Sequence, residues 1–196
     1  MCAISDKEAQ PIRTFVAVPV HSPALVAALE SAQATLRQAG VRARWVRPGQ
    51  FHFTLKFLGE IPASQVEVAR AALERAVSGA GPFDLEIAGL GAFPRPDAAR
   101  VLWAGCGDGG ARLIQLAFRV ESALVAAGFP PEPRPFTAHL TLGRLPAGGS
   151  TPQVAGALRR SARPSFGRQP VTEVVLYRSD LRPDGPVYTP LSRFPL

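Results

Sequence analysis

This sequence has very little cysteine, lysine or histidine, and each shortage narrows what the chain does. Cys2 and Cys106 are the only cysteines in 196 residues, too few for a disulfide framework or a thiolate metal site. A reducing compartment is the expectation. No run of eighteen apolar residues occurs, and Met1 to Gln10 carries no apolar stretch. The sequence therefore predicts neither a membrane span nor a secretory signal, and a cytoplasmic location. Lys7 and Lys56 are the only lysines, so nearly all of the +7 net charge rests on arginine. The guanidinium fork suits phosphate better than an ammonium point charge does, and an anionic partner fits that bias. A GC-rich genome, which favours arginine codons, accounts for it equally well.

What is present is globular in balance, with 46% hydrophobic and 19% charged residues. The length suits one domain, or two small lobes around a shared core. Two of the three histidines fall in the same four-residue pattern, His-x-Thr-Leu: His52-Phe53-Thr54-Leu55 and, 87 residues later, His139-Leu140-Thr141-Leu142. Side chains alternate along a strand, so each histidine shares a face with its threonine while the apolar residues turn to the other. Two such strands side by side make a symmetric cage of imidazoles and hydroxyls.

The remaining pattern is read in order. A strand is expected at Thr14–Val20, ending near Pro19, after a mobile tail at residues 1–12. Ser22 and Pro23 open a helix as N-cap and first-turn proline, and Gly40 stops it. The first motif strand runs from Phe51 to Phe57 and ends at Gly59. A helix at Ala63–Val77 is followed by a strand at Phe83–Ile87. The turn-rich segment Gly89–Pro96 leads to a strand at Arg100–Ala104. Leu113 to Leu124 mark a helix ending at Gly128. The proline-dense Pro130–Pro135 is irregular and delivers the chain into the second motif. A helix from Thr151 to about Ala162 and strands at Val171–Tyr177 and Val187–Phe194 close the sequence. The order is approximately two copies of one unit, an α+β protein of two similar lobes, each contributing one motif strand.

Two imidazoles on one face divide a proton-transfer reaction between them, because a pKa near neutrality allows one to be charged and the other neutral. Thr54 and Thr141 supply hydroxyl donors to an oxygen that gains charge. Arg144, five residues beyond His139, adds a permanent cation with bidentate phosphate geometry. With no carboxylate cluster nearby, the set describes phosphate-ester chemistry without a metal or other cofactor. Each residue also has a structural explanation: a strand histidine as a hydrogen-bonder, threonine as a strand former, Arg144 as a solvated charge. For His21, which has no repeat, the structural explanation is the better one. Trp45 and Trp103 read as core or interface residues. Phe15 and Trp45 are also candidates for stacking a nucleobase. Arg42, Arg44 and Arg47 either track a phosphate backbone or form a solvated basic face.

With these residues laid out, the sequence resembles the 2H phosphoesterase superfamily, and within it the bacterial RNA 2′,3′-cyclic phosphodiesterases, also called 2′-5′ RNA ligases. The resemblance runs through Arg13–Pro19, Trp45, Phe51–Glu60, Arg100–Ala104, Phe136–Arg144 and Leu176–Ser179, with Gly185 and Tyr188. It implies a single bilobal domain of two intertwined, pseudo-symmetric αβ lobes, each with an antiparallel sheet, around a cleft lined by both motifs. It implies metal-independent opening of a 2′,3′-cyclic phosphate at an RNA end to a 2′-phosphate, with His52 as proton donor and His139 as proton acceptor. Thr54, Thr141 and Arg144 then hold the phosphoryl oxygens. RNA ends or small cyclic nucleotides are the implied partners of a monomeric enzyme. Reverse joining as a 2′-5′ bond uses the same cage. A non-catalytic nucleotide-binding module is the alternative outside enzymology. Ala138 and Gly143 stand where the family commonly has proline and alanine.

Overall fold

In the computed structural model, which describes residues 10–146, 151–160, 164–183 and 185–196, the chain is an alternation of strands and helices. Its first half runs β1 (Ile12–Pro19), α1 (Pro23–Gln38), β2 (Arg44–Trp45), β3 (His52–Ile61), α2 (Ala63–Val77) and β4 (Phe83–Phe93). A short 3-10 turn at Pro96–Ala98 precedes β5 (Val101–Cys106), α3 (Gly110–Ala126), β6 (Leu140–Arg144) and α4 (Thr151–Arg160). The chain ends with β7 (Ser165–Val171), β8 (Glu173–Arg182) and β9 (Gly185–Pro195).

The helices follow from local signals. Ser22 Oγ accepts the Leu25 N–H at 3.4 Å and Pro23 sits at the first turn. Leu25, Leu29 and Leu36 then give α1 its buried stripe. α2 occupies the expected span, and α3 buries Leu113, Leu116, Val120 and Leu124 at helical spacing. Of the expected tail, residues 1–9 lie outside the described residues, and β1 already begins at Ile12. The expected end of α4 near Ala162 lies outside them too, the described helix ending at Arg160.

The strands pair antiparallel in one sheet of order β7-β4-β5-β6-β3-β1-β8-β9, with β2 paired to β6. One half consists of β3, β1, β8 and β9, the other of β7, β4, β5 and β6. They join where β3 meets β6 through the Phe53–Leu140 pair. Because β8 and β9 return to the half that began the chain, the halves interlock in sequence. Phe53 and Leu140 are fully buried, and both halves feed one apolar core. Burying each such side chain stabilises the fold by about 1.5–3 kcal/mol, so the apolar back of each motif anchors its polar face.

Glycine misleads the sequence reading at two strands. Gly59 does not end β3 but sits inside it at φ +74°, beside the extra residue Leu58. Gly89 likewise lies in a bulge, at φ +77°, as β4 continues to Phe93. Glycine tolerates that left-handed backbone, and a bulge bends a strand without ending it. β2 and β7 were not expected. β2 is two residues long, and β7 is a sheet edge without apolar alternation that accommodates Pro170.

Candidate active site

The two motifs meet at the seam of the sheet. With Phe53 opposite Leu140 in an antiparallel pair, the register sets His52 against Thr141 and Thr54 against His139. The histidines are therefore diagonal neighbours, a spacing of about 7–8 Å, with a threonine at each other corner. His52 opens β3, whereas His139 lies one residue before β6 begins.

The matching extends to the side-chain bonds. His52 Nδ1 lies 2.7 Å from the Gln50 carbonyl and His139 Nδ1 lies 2.8 Å from the Thr137 carbonyl. A carbonyl only accepts, so each Nδ1 carries hydrogen and donates, which leaves Nε2 for a substrate; of the two histidines, His139 lines the cavity beside the cage and His52 does not. Burial pushes both imidazoles below the ordinary histidine pKa; the carbonyl bonds oppose that shift and the Arg144 guanidinium adds to it. At His52 the other histidine lowers it further. Rings hold each imidazole in place: Phe15 at 5.1 Å and Tyr188 at 5.3 Å edge-on for His52, Phe93 at 4.9 Å edge-on for His139.

A bulge brings in Arg144. Leu55 is an extra residue in β3 between the Ala17–Thr54 and Val16–Lys56 pairs. Leu142 is an extra residue in β6 between the Trp103–Thr141 and Leu102–Gly143 pairs. Both stand three beyond their histidine, and the six residues from each histidine onward show the same succession of burial. Strict alternation would send the fifth residue after each histidine into the core. The bulge reverses the phase, so Phe57 and Arg144 face out instead. Buried Gln33 braces the second bulge, its Nε2 donating to the Leu142 carbonyl at 2.9 Å and the Val46 carbonyl at 2.8 Å.

A cavity of about 640 Å3 opens beside this cage, lined in part by Thr54, Phe57, His139, Thr141 and Arg144. Its outer wall is the Glu132–Thr137 segment and the exposed side of α3. Lys56 fixes that wall: its side chain is 1% exposed, and its ammonium donates to Glu121 Oε2 at 2.6 Å and to the Pro130 carbonyl at 2.8 Å. Glu121 Oε1 in turn accepts the Glu132 N–H at 2.8 Å.

Phe15 and Trp45 do not line this cavity. Phe15 is 3% exposed and packs on His52, Tyr177 and Tyr188. Trp45, half-buried in β2, has the Arg37 guanidinium 4.8 Å from its ring centroid and Gly143 as its strand partner. His21 is remote, its Nε2 3.2 Å from Glu173. Sequence reasoning did not single out Phe57, Phe93, Gln33 or Lys56. For Phe57 the signal was there, since it occupies the place in the first motif that Arg144 has in the second. Among the described residues no three His, Cys, Asp or Glu side chains gather as metal ligands do, and no helix is long and apolar enough to cross a membrane.

Two interlocked halves of one antiparallel sheet, each bringing a His-x-Thr motif to the seam, define a two-histidine phosphoesterase. The chain belongs to the LigT-like phosphoesterase family, whose model matches residues 18–103 and 106–188. Among curated relatives, the RNA 2′,3′-cyclic phosphodiesterase of Aeropyrum pernix is 34% identical over 85% of this chain and 94% of its own. That of Archaeoglobus fulgidus is 35% identical over 93% of this chain and 99% of its own. A crystal structure from Thermus thermophilus, TT0787, superposes with a TM-score of 0.76 at 33% identity, covering 94% of this chain and 98% of the other. Escherichia coli LigT complexed with 3′-AMP gives a TM-score of 0.75 at 27% identity, covering 96% and 99%.

Proposed function

We propose that this chain hydrolyses the 2′,3′-cyclic phosphate at RNA 3′ ends, or in small cyclic nucleotides, to a 2′-phosphate, with two histidines and no metal. The observation that carries the reading is the pair of imidazoles on diagonal corners of the seam, each with Nδ1 tied to the carbonyl two residues before it, which leaves Nε2 for the substrate. The relatives' activity on RNA 2′,3′-cyclic phosphates supports the same substrate class.

In the proposed reaction His139 Nε2 takes a proton from water as its oxygen attacks phosphorus. The P–O3′ bond breaks and His52 Nε2 gives its proton to the departing 3′ oxygen. The product carries a 2′-phosphate and a 3′-hydroxyl, and the histidines exchange protons with solvent before the next turnover. Burial lowers the proton affinity of both imidazoles in the free protein. A bound phosphate anion raises it again by direct attraction, which supplies the imidazolium that His52 needs. Thr54, Thr141 and the Arg144 fork hold the non-bridging oxygens where charge builds. No described side chain engages either threonine hydroxyl. Phe57, 53% exposed on the cavity wall, seats the terminal nucleoside. Phe15 backs His52, and Trp45 braces β2 against β6 and with it the backbone that carries Arg144. The same cage run in reverse joins a cyclic phosphate to a 5′-hydroxyl.

The two halves act as one domain, since they share a sheet and a core, and the enzyme acts as a monomer in the cytoplasm. The test is conversion of an oligoribonucleotide ending in 2′,3′-cyclic phosphate, in EDTA, with the product identified by chromatography. His52→Ala and His139→Ala each lose about a hundredfold to ten-thousandfold in rate. Wild-type turnover in either variant, or its abolition by the chelator, refutes the mechanism; tight binding without turnover by the wild type points to a binding module.

A further inference from the structure

We propose that the outer stripe of α3 is a platform for the penultimate nucleotide of a single-stranded RNA, with its base on Phe118 and Ile114 and its phosphate toward Arg134; the proposal rests on the cyclic-phosphate reading of the same cavity. α3 already buries a complete apolar stripe through Leu113, Leu116, Val120 and Leu124. An amphipathic helix carries polar residues on its other side. Here that side carries Ile114, 48% exposed, and Phe118, 70% exposed. Among the described residues six large apolar side chains are exposed, and three of them, Phe57, Ile114 and Phe118, line one cavity. Exposed apolar surface gathered in one place marks a contact site rather than chance.

Charge selects the occupant. Of the cavity's two carboxylates, Glu121 is paired with the Lys56 ammonium, while Glu132 accepts the Phe57 N–H at 3.3 Å and keeps its charge, so two guanidinium groups stand against one carboxylate. Its two arginines, Arg134 and Arg144, make no ion pair with any described carboxylate, and both line the cavity. An apolar and aromatic wall edged by unpaired guanidinium groups, continuous with His139 and Thr141, fits stacked bases on an anionic backbone. A protein segment would find the same wall but no use for two free cations beside a phosphate cage. Phe57 takes the terminal base, and the α3 stripe, farther from the histidines, takes the next.

The experiment measures binding of an uncleavable trinucleotide carrying the 2′-phosphate product end, to wild type and to Phe118→Ala. Phe118 is mostly in solvent, so its truncation spares the core. Base–aromatic stacking predicts that the variant weakens binding about fivefold to about a hundredfold. A trinucleotide lacking the penultimate base loses the same factor on wild type and nothing further on the variant. The ratio of kcat/KM for a cyclic-phosphate trinucleotide to that for cytidine 2′,3′-cyclic phosphate falls by the same factor in Phe118→Ala. Equal binding by variant and wild type, or indifference of the wild type to the missing base, overturns the platform. Wild type that shows the Phe118-dependent binding yet opens no cyclic phosphate upholds the platform and refutes the hydrolase reading.

Discussion

Lys56→Met tests how the cavity wall is held. The Lys56 side chain is 1% exposed and donates to Glu121 at 2.6 Å and to the Pro130 carbonyl at 2.8 Å. Methionine keeps the length and apolar packing of the stem but removes the ammonium. A carbonyl then loses its donor and a carboxylate its cation. Breaking a buried pair by removing one partner costs about 3–5 kcal/mol. Glu121 is 26% exposed, so water recovers part of that loss and about 2–3 kcal/mol remains. In a protein of 196 residues this lowers the melting temperature by about 4–12 °C. Lys56→Met/Glu121→Leu removes both charges and regains most of the loss, as apolar replacement of whole buried pairs does. Activity follows stability here, because the wall that Lys56 anchors leads to Thr137, whose carbonyl orients His139. Thermal melts of the four proteins at neutral pH, with kcat/KM on a cyclic-phosphate oligonucleotide, provide the assay. A fall below about 2 °C for Lys56→Met, or a double variant that loses the sum of its singles, refutes the reasoning.

Three further outcomes are expected. Turnover needs one imidazole charged and one neutral, so kcat/KM is bell-shaped in pH and centred between the two free-enzyme pKa values; both are held below the ordinary value of about 6.5 by burial and Arg144, so the maximum lies below pH 6.5. Arg144→Gln removes a cation that lowers both and moves the maximum upward while weakening binding; a wild-type maximum above pH 7 contradicts the assignment. Gln33→Leu removes the Nε2 donor shared by the Val46 and Leu142 carbonyls, of which Leu142 keeps the Val46 N–H at 2.9 Å, and costs about 1–3 kcal/mol in urea unfolding, with lower kcat as the bulge loosens; an unchanged midpoint and rate show that Gln33 braces nothing. At Gly91 any Cβ overlaps the Trp103 ring, which neighbours Thr141 in register, so Gly91→Val costs about 1–3 kcal/mol through overpacking and shifts tryptophan emission; wild-type stability and emission would contradict that close approach.

The helices and the four corner residues were legible because their signals are short-range. A cap such as Ser22, a stripe such as Leu113 to Leu124, and the two-residue period that pairs His52 with Thr54 act within a few residues. The misreadings share a cause. Gly59 and Gly89 look like breaks to local chemistry, yet pairing with β1 and β5 carries the strands through them as bulges. β7 lacks the alternation of a half-buried strand because it is a sheet edge, and its partner β4 makes it a strand.

The repeat of His-x-Thr-Leu, the apolar backing of each copy and the common face of each histidine and threonine are written in the chain itself, since alternation in a strand is a property of consecutive residues. That the two copies meet antiparallel at Phe53 and Leu140 belongs to the folded protein, because residues 87 positions apart come together only through the core they share. The same holds for Arg144. Alternation from His139 buries it, and the extra residue Leu142, accommodated by β5 and braced by Gln33, turns it into the cleft.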